Sequence, residues 1–259
     1  MTDEQLFVKQ IWLKEPVPTD GYPGNLPVVK NLYRMGKLEL HSPVTVLVGE
    51  NGVGKSTLIE AIAVALGFNP EGGSINFRFS TRSSHSELYR YLGVGKSFRR
   101  RKDGYFLRAE SFYNVASNID ELDEIPASTP YLIDSYGGVS LHCQSHGESF
   151  LALVENRFGG NGIYILDEPE AALSPTRLMR LMVRMHELIQ QGSQFIISTH
   201  SPILMAFPDA EVLWLTEQEI RAVSYRETEH FQITKRFVND PDGVLHVLLK
   251  DREAEKSSR

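Results

Sequence analysis

The sequence predicts an α/β fold built on a mostly parallel sheet, and three observations lead to this prediction. Short, largely apolar runs of the kind buried between helices recur at 44–48, 163–166 and 195–198. Amphipathic helical segments alternate with these runs, which is the pattern of parallel strands joined by helices. The chain has 259 residues, 41% of them hydrophobic, enough for one large core. Additional antiparallel strands and a small inserted helical lobe complete the expected architecture.

The first half of the chain predicts strands before and after one well-defined helix. A Pro/Gly-rich loop at 16–27 follows the first strand, and a helical run covers 58–66. Residues 117–140 predict a loop because they are rich in acidic and small residues. The remaining predicted elements are strands at 6–13, 37–48 (a pair) and 104–112, a turn and strand over 69–81, and a short helix within 86–92.

The second half alternates more regularly. Pro175 opens an amphipathic helix that ends at Gly192, with apolar residues on one face and arginines on the other. The other predicted elements are a helix at 147–157, buried strands at 163–166 and 195–198, a hairpin at 213–215 and 220–224, and a helix at 241–250. Strands that alternate with helices in this way favour parallel pairing.

The segment Gly49–Thr57 reads GENGVGKST and matches the phosphate-binding pattern G-x-x-x-x-G-K-[ST]. A strand precedes it and a helix follows it, as this motif requires. Glycines let successive N–H groups point at one anion, and the helix start adds positive potential. Lys55 can reach the β- and γ-phosphates, and Ser56 can hold Mg²⁺. The predicted nucleotide-binding residues here are Gly49, Asn51, Gly52, Gly54, Lys55, Ser56 and Thr57.

Two carboxylates end the buried strand at 163–166. Because the carboxyl ends of parallel strands line the ligand crevice, Asp167 and Glu168 are expected beside the phosphate loop. Asp167 would bind the Mg²⁺ shell, and Glu168 would orient and deprotonate the attacking water. An acidic pair that merely ends a strand at the surface is the alternative.

A histidine ends the next buried strand. His200 follows Phe195–Ser198, 32 residues after Glu168, so it is also expected at the crevice. An imidazole in that position can donate to the γ-phosphate and sense its presence. A surface histidine at a strand end is the alternative.

Together these elements resemble the ABC-type ATPase superfamily, and its soluble branch of SMC, RecF and OLD-like proteins more than its transporter branch. Gly49–Thr57 corresponds to Walker A, Ile163–Glu168 to Walker B and His200 to the switch histidine. The pieces QSHGESF, LDEPEAALSP and STHSPIL are similar to those of small bacterial stand-alone predicted ATPases.

The resemblance implies one ABC-type ATPase domain over 1–259, with a helical, signature-bearing lobe at about 82–160. It implies Mg²⁺-dependent hydrolysis of ATP to ADP and phosphate, with Lys55, Glu168 and His200 as catalytic residues. It also implies a head-to-tail homodimer that ATP holds together and hydrolysis releases, acting as a conformational switch or motor.

The family signature LSGG[QE] has a candidate in the segment 145–149, where His146 replaces the first glycine. By resemblance, Ser145, Gly147 and Glu148 contact the γ-phosphate bound to a second subunit. Serine hydroxyls, glycine N–H groups and helix starts suit that contact. An ordinary helix cap, with Ser145 and Glu148 as a capping box, is also physically sound.

The sequence departs from the family in two other places. No glutamine lies between Thr57 and Cys143, so the Q-loop glutamine is missing. Glu110, after the predicted strand at 104–112, is the candidate replacement; it could bind metal but could not donate a hydrogen bond. Ser174 stands where transporter domains more often carry aspartate.

Three further features have a functional and an ordinary interpretation. Gly93–Ser97 imitates a phosphate loop but has Arg90 at the first glycine position, so a loop is predicted. Tyr22 could stack on adenine or belong to a simple turn. The basic run Arg99, Arg100, Arg101 and Lys102 could contact nucleic-acid phosphates or be a solvated loop.

Composition limits the partners. With a net charge of −6, the chain lacks the overall basic character of nucleic-acid binders. A single cysteine and the lack of any apolar run near the ~20 residues of a membrane helix lead us to expect a cytoplasmic protein without membrane insertion. A nucleic-acid-associated ATP switch in DNA repair or anti-phage defence, with an unidentified effector protein, remains an alternative function, as does the ATPase subunit of a transporter.

Overall fold

The computed structural model describes residues 6–75, 86–124 and 131–257, with side chains described up to residue 250. Within these ranges, none of the helices has the length and apolar composition that crossing a bilayer requires. The strands are β1 (Val8–Leu13), β2 (Lys37–Glu39), β3 (Val44–Gly49), β4 (Gly73–Ser74), β5 (Leu92–Lys96), β6 (Asp103–Arg108), β7 (Gly162–Asp167), β8 (Gln194–Ser198), β9 (Glu211–Leu215) and β10 (Ile220–Val223). The helices are α1 (Tyr22–Asn25), α2 (Pro27–Met35), α3 (Lys55–Ala65), α4 (Leu88–Tyr91), α5 (Phe112–Asp123), α6 (His146–Arg157), α7 (Pro175–Gln190), α8 (Pro202–Met205), α9 (Glu229–Asn239) and α10 (Pro241–Ser257).

The larger sheet is mostly parallel, as predicted. Its order is β10-β9-β3-β8-β7-β6-β4, in which the five inner strands run parallel and the two edge strands run antiparallel. A smaller antiparallel sheet has the order β2-β1-β5. This combination is the predicted α/β fold, and the predicted phosphate loop lies between β3 and α3.

The register of the three central strands positions the candidate site. Ser198 at the end of β8 pairs with Leu47 of β3 on one side and Asp167 of β7 on the other. The carboxyl ends of β3, β8 and β7 therefore lie at one level and side by side. The loop after β3, the carboxylates after β7 and the histidine after β8 must emerge at the same edge.

The core lies on both faces of the larger sheet because alternate strand residues point to opposite sides. Val46 and Ile197 belong to the cluster formed with α5, α6 and α7, whereas Leu47 and Ile196 belong to the cluster formed with α2 and α3. Burying a large aliphatic side chain stabilises the fold by about 1.5–3 kcal/mol. The two clusters hold the helices on both faces and fix the strand ends between them.

A buried glutamine joins the two sheets. The Gln194 side-chain oxygen accepts hydrogen bonds from the N–H groups of Phe7 at 2.8 Å and Val8 at 2.9 Å. Its amide nitrogen donates to the Val8 carbonyl at 2.9 Å. Gln194 opens β8, so the start of β1 is tied directly to a central strand of the larger sheet. All three contacts involve the same buried amide, and its loss would leave backbone groups unpaired.

The prediction that Gly93–Ser97 is a loop is wrong. Residues 92–96 form β5, which pairs antiparallel with β1. A Cβ atom at Gly93 would lie 2.3 Å from the Trp12 ring, and one at Gly95 would lie 2.3 Å from Cγ of Gln10. The glycines therefore make room for long side chains of β1, and the scarcity of bulky residues hid the strand in the sequence.

The loop prediction for 117–140 is wrong at its start. Helix α5 extends to Asp123 and buries Phe112, Val115, Ala116 and Ile119, which share one face. The acidic residues that suggested a loop lie elsewhere around the helix. Helices α1, α2, α8 and α9 were also not predicted, and α1 lies within the segment 16–27 that was predicted to be a loop.

Two predicted boundaries differ from the structure. The segment 37–48 contains β2 and β3, which lie in different sheets and do not pair with each other. Within the lobe expected at 82–160, β5 and β6 belong to the two sheets and the first long helix begins at Phe112. The domain division stays a prediction, and the strand expected within 69–81 lies outside the described residues after position 75.

We predict that Gln194→Leu destabilises the protein, because it leaves two N–H groups and one carbonyl buried without partners. Each unpaired group costs about 1–3 kcal/mol. The free energy of unfolding, measured by urea denaturation, should fall by at least the cost of one unpaired group. Gln190→Leu, at an exposed position on α7, is the matched control; equal stability of the two variants would contradict the assignment.

Candidate functional site

The phosphate loop has the backbone that an anion cradle needs. Gly54 has φ of 99° and precedes the first residue of α3. Only glycine adopts this left-handed conformation without strain, and a Cβ there would also lie 2.6 Å from Cγ1 of Val28. At the other end of the loop, a Cβ on Gly49 would lie 2.2 Å from the Leu215 carbonyl oxygen. The loop therefore delivers the N-terminus of α3, with its free N–H groups, to the end of β3.

Lys55 lies inside this loop. Its ammonium donates hydrogen bonds to the carbonyls of Gly49 at 2.7 Å and Glu50 at 3.0 Å. The residue is only 4% exposed, and burial lowers its pKa, an effect that the nearby Glu168 and Asp167 carboxylates oppose. The predicted phosphate-binding cation is thus held at the base of the cradle, next to both carboxylates of the β7 end.

Asp167 is the buried carboxylate of the site, 6% exposed. Burial raises its pKa to about 6, although the Arg108 guanidinium and the hydroxyls of Ser56 and Ser198 favour the charged form. Its Oδ1 atom is buried and, among the described residues, has no hydrogen-bond partner. A buried carboxylate oxygen without a partner, close to a serine hydroxyl, suits a hard cation that prefers oxygen ligands. Ser56 and Asp167 therefore fit the predicted Mg²⁺ site.

Arg108 is a residue of the site that the sequence analysis missed. It ends β6 and pairs in register with Asp167, and its Nε atom lies 3.5 Å from Oδ2 of Asp167. Its Nη1 atom donates to Glu60 of α3 at 2.6 Å, and its Nη2 atom lies 3.7 Å from Glu110. Arg108 thus links β6, β7 and α3 around the carboxylate. A charged residue at the end of a buried strand was the signal in the sequence.

Glu110 lies at the rim of the site. It lines a cavity of about 290 Å³ together with Ser56, Asp167, Glu168 and His146. Its side chain is 87% exposed and pairs with Arg108. The structure therefore brings Glu110 to the cavity that contains the predicted metal ligands, and its role as a metal ligand in place of the Q-loop glutamine stays a prediction.

Glu168 has a strained backbone. Its φ of 48° and ψ of 53° are left-handed, which costs a residue with a Cβ about 1–2 kcal/mol. Its N–H donates to the Ser198 carbonyl at 2.9 Å, so the end of β8 holds this conformation. The carboxylate remains partly exposed and lies 3.7 Å from Nε2 of His200. This left-handed conformation turns the chain away from β7 at Glu168, the residue that is predicted to act as the base.

His200 is held by another residue that the sequence analysis missed. Glu170 accepts hydrogen bonds from the His200 N–H and, at 2.7 Å, from the Thr199 hydroxyl. Burial lowers the pKa of His200, and Lys55 lowers it further, while Glu168 opposes both. The imidazole is therefore neutral near pH 7. Its Nδ1 atom lies 2.8 Å from Nε2 of His230 on α9, a contact that no sequence pattern indicated.

The segment 145–149 forms the capping box that was the alternative to a signature. Glu148 accepts from the Ser145 hydroxyl at 2.6 Å and N–H at 3.1 Å, and Arg177 donates to it at 3.1 Å. A Cβ on Gly147 would lie 2.9 Å from the Ala172 carbonyl oxygen, so α6 starts against the segment after Glu168. Contact of Ser145, Gly147 and Glu148 with a second subunit stays a prediction.

The other predicted nucleotide-binding residues lie on two sides of the phosphate loop. Tyr22, 68% exposed, lines a cleft of about 580 Å³ with Ser56 and Thr57. Stacking of Tyr22 on adenine stays a prediction, as does any contact of Asn51 and Gly52, which are exposed at the loop tip.

The basic run is not a uniform charged surface. Arg99 stacks on Phe7 and donates to Asn161 and, at 3.1 Å, to the Gly192 carbonyl. Arg101 stacks on Phe68 and donates to the Leu66 carbonyl at 2.7 Å. These two arginines connect the loop to the body of the protein. Arg100 and Lys102 are exposed and remain candidates for phosphate contacts.

Two family models match separate segments of the chain. A model described as "AAA domain" matches residues 31–125, which include the phosphate loop. A model described as "AAA domain, putative AbiEii toxin, Type IV TA system" matches residues 145–206, which include Asp167, Glu168 and His200.

Curated relatives match about two thirds of the chain. The cobalt import ATP-binding protein CbiO of Salmonella typhimurium is 28% identical over 68% of this chain and 67% of its own length. The nucleoside import ATP-binding protein NupA of Lactococcus lactis is 27% identical over 63% of this chain, but this covers only 34% of NupA. Among solved structures, cbiO1 from Clostridium perfringens, part of the ABC transporter complex cbiONQ, is 17% identical with a TM-score of 0.45, covering 94% of this chain and 99% of that one.

The family models cover the loop and the two later strand ends in the same order as the sequence motifs, and the curated relatives are ATP-binding proteins. These matches support the resemblance of the chain to the ABC-type ATPase superfamily and support ATP hydrolysis as its activity.

Proposed function

We propose that this protein binds and hydrolyses Mg-ATP as an ATP-sandwich homodimer that acts as a conformational switch or motor. The observation that carries the proposal is the common level of the ends of β3, β7 and β8. It brings Lys55, Asp167, Glu168 and His200 to one crevice, where a triphosphate bound by the loop would meet all four.

The binding half of the mechanism rests on the loop. Its N–H groups and the start of α3 favour the negative phosphates, and Lys55 would exchange its two carbonyl acceptors for phosphate oxygens. Ser56 and Asp167 would hold Mg²⁺, which when bound neutralises charge on the phosphates. The Arg108 guanidinium beside Asp167 favours the ionised carboxylate and opposes the effect of burial on its pKa. Tyr22 would receive the base in the cleft beside Thr57.

The hydrolytic half rests on Glu168 and His200. The carboxylate of Glu168 would accept a proton from the attacking water, and its fixed backbone keeps it beside the γ-phosphate position. The neutral His200 would donate from Nε2 to the γ-phosphate. Both groups are partly exposed, at 42% and 28% of their side chains. Efficient hydrolysis needs bulk water to be excluded from the γ-phosphate. A second copy of the chain, contributing Ser145 and Gly147, would cover the site in this way.

We predict that Lys55→Ala weakens nucleotide binding. The variant removes charge-assisted hydrogen bonds to phosphate, each worth about 1.5–3 kcal/mol. Calorimetry with ATP should therefore show an affinity loss of about tenfold or more. Lys30→Ala, an exposed lysine on α2, is the control. Unchanged ATP affinity in Lys55→Ala would overturn the phosphate-loop assignment.

We predict that Glu168→Gln binds ATP normally, loses turnover and accumulates as a dimer. The amide keeps the size of the side chain but cannot accept the proton from water. Light scattering with ATP should give twice the monomer mass, and phosphate release should fall by about 10²-fold or more. Glu121→Gln, at an exposed position on α5, should behave as wild type. A monomeric Glu168→Gln with ATP bound would refute the sandwich dimer.

A transporter ATPase subunit is the second candidate, favoured by relatives that carry the names of cobalt and nucleoside import proteins. Against it stand the missing Q-loop glutamine, His146 in the signature position and Ser174. Co-purification of a membrane protein with the tagged chain would decide in favour of the transporter. The chain spans only about one third of NupA, so the activity of that whole protein does not extend to it.

The hypothesis of a nucleic-acid-associated switch depends on the basic run. Arg99 and Arg101 are hydrogen-bonded to the body of the protein, so the exposed Arg100 and Lys102 are the candidates for contact with nucleic acid. If the run binds phosphates, the double variant Arg100→Ala with Lys102→Ala should weaken retention of DNA or RNA in filter binding. The slope of log binding constant against log salt concentration should become shallower by about two, because two phosphate contacts are lost. Arg34→Ala serves as a control away from the run. Equal retention with and without the two side chains would exclude this surface.

A further inference from the structure

The contact between His200 and His230 has no role in the function proposed so far. Nδ1 of His200 lies 2.8 Å from Nε2 of His230, and the ring centroids are 4.9 Å apart. His230 is the second residue of α9, which belongs to the C-terminal part of the chain, outside both segments matched by family models. The contact therefore joins the candidate switch histidine to an element that the resemblance does not explain.

The first turn of α9 is anchored firmly enough to fix His230. Thr228 is its N-cap, 1% exposed, and its hydroxyl accepts from the Phe231 N–H and donates to the Tyr225 carbonyl at 2.6 Å. The same hydroxyl lies 3.6 Å from the sulfur of Met205, which belongs to α8 just after the His200 loop. The position of His230 is thus set by contacts independent of its ring.

The hydrogen bond between the two rings limits where the ring hydrogens of His200 and His230 can lie. Two imidazole nitrogens 2.8 Å apart share one hydrogen, so one ring donates and the other accepts. The other nitrogen of His200, Nε2, faces the Glu168 carboxylate at 3.7 Å, and a carboxylate only accepts. A γ-phosphate bound beside Glu168 would also be an acceptor. These acceptors favour the tautomer with hydrogen on Nε2 of His200 without fixing it, and in a neutral ring with that tautomer Nδ1 is the acceptor.

We propose that His230 is a positioning residue: it donates from Nε2 to Nδ1 of His200 and so fixes the tautomer in which His200 presents its Nε2–H to the triphosphate. This inference rests on the proposed function for its consequence, although the tautomer itself is a property of the nucleotide-free protein. The neighbouring charges agree with two neutral rings. Burial lowers the pKa of both histidines, and the Lys55 ammonium lowers both further, while Glu168 and Glu50 oppose this at His200 and Glu229 and Glu50 oppose it at His230.

The first test reads the tautomer directly, without nucleotide. Selective ¹⁵N labelling of histidine and two-bond ¹⁵N–¹H couplings assign the protonated nitrogen, with His200→Gln identifying the signal. Wild-type His200 should carry its hydrogen on Nε2. In His230→Phe, which keeps a ring but has no donor, the Nδ1–H form should become populated. A wild-type His200 protonated on Nδ1, or a tautomer unchanged in His230→Phe, overturns the proposal.

The second test reads the consequence for hydrolysis. His230→Phe should lower kcat by about 10- to 100-fold, the range for losing a residue that orients another, with less than a twofold change in ATP affinity. His230→Gln, whose amide still donates, should restore most of the rate; in a His200→Ala background, His230→Phe should cause no further loss. His186→Phe, at an exposed position on α7, is the control.

The two tests separate the two hypotheses. If the tautomer changes as predicted while kcat stays constant, the His230 assignment stands and the proposed role of His200 at the phosphate fails. If His230→Gln loses as much rate as His230→Phe although both fold and bind ATP, the donor role of His230 is contradicted.

Discussion

The parallel register of β3, β8 and β7 is the constraint on which the site depends. Each strand is buried on both faces, so its register is fixed by packing rather than by the residues at its end. Ser198 occupies the middle of the three strand ends, pairing with Leu47 and Asp167, and its carbonyl also accepts from Glu168. A slip of one residue in β8 would move His200 and release Glu168 together. The geometry of the candidate site is thus set by the packing of the hydrophobic core.

Charge balance is the second organising principle. Lys55 and Arg108 are partly or wholly buried beside Asp167, Glu168 and Glu60, and every one of these charges has an opposite charge nearby. Taking such groups from water is costly unless they are paired. The pairing is incomplete at Oδ1 of Asp167, and a cation would complete it. The paired charges are therefore compatible with a stable fold, and the unpaired oxygen of Asp167 remains available to a cation.

The sequence predicted the parts of the fold that have strong local signals. The phosphate loop, the apolar strands at 162–167 and 194–198 and the amphipathic α7 were recognisable because their periodicity and flanking residues agree. The strand β5 was not, because its glycines serve the side chains of Trp12 and Gln10 in a distant part of the sequence. Arg108, Glu170 and His230 were missed for a similar reason: each acts through a partner that only the tertiary structure brings close.

The left-handed backbone at Glu168 has a consequence for engineering. Glycine or asparagine would adopt this conformation more easily, so the wild-type residue gives up stability to keep a carboxylate at the turn. If Glu168 is the base proposed above, a screen that rewards thermal resistance alone would tend to replace it and recover stable but inactive proteins. Stability and turnover would then be opposed at this position.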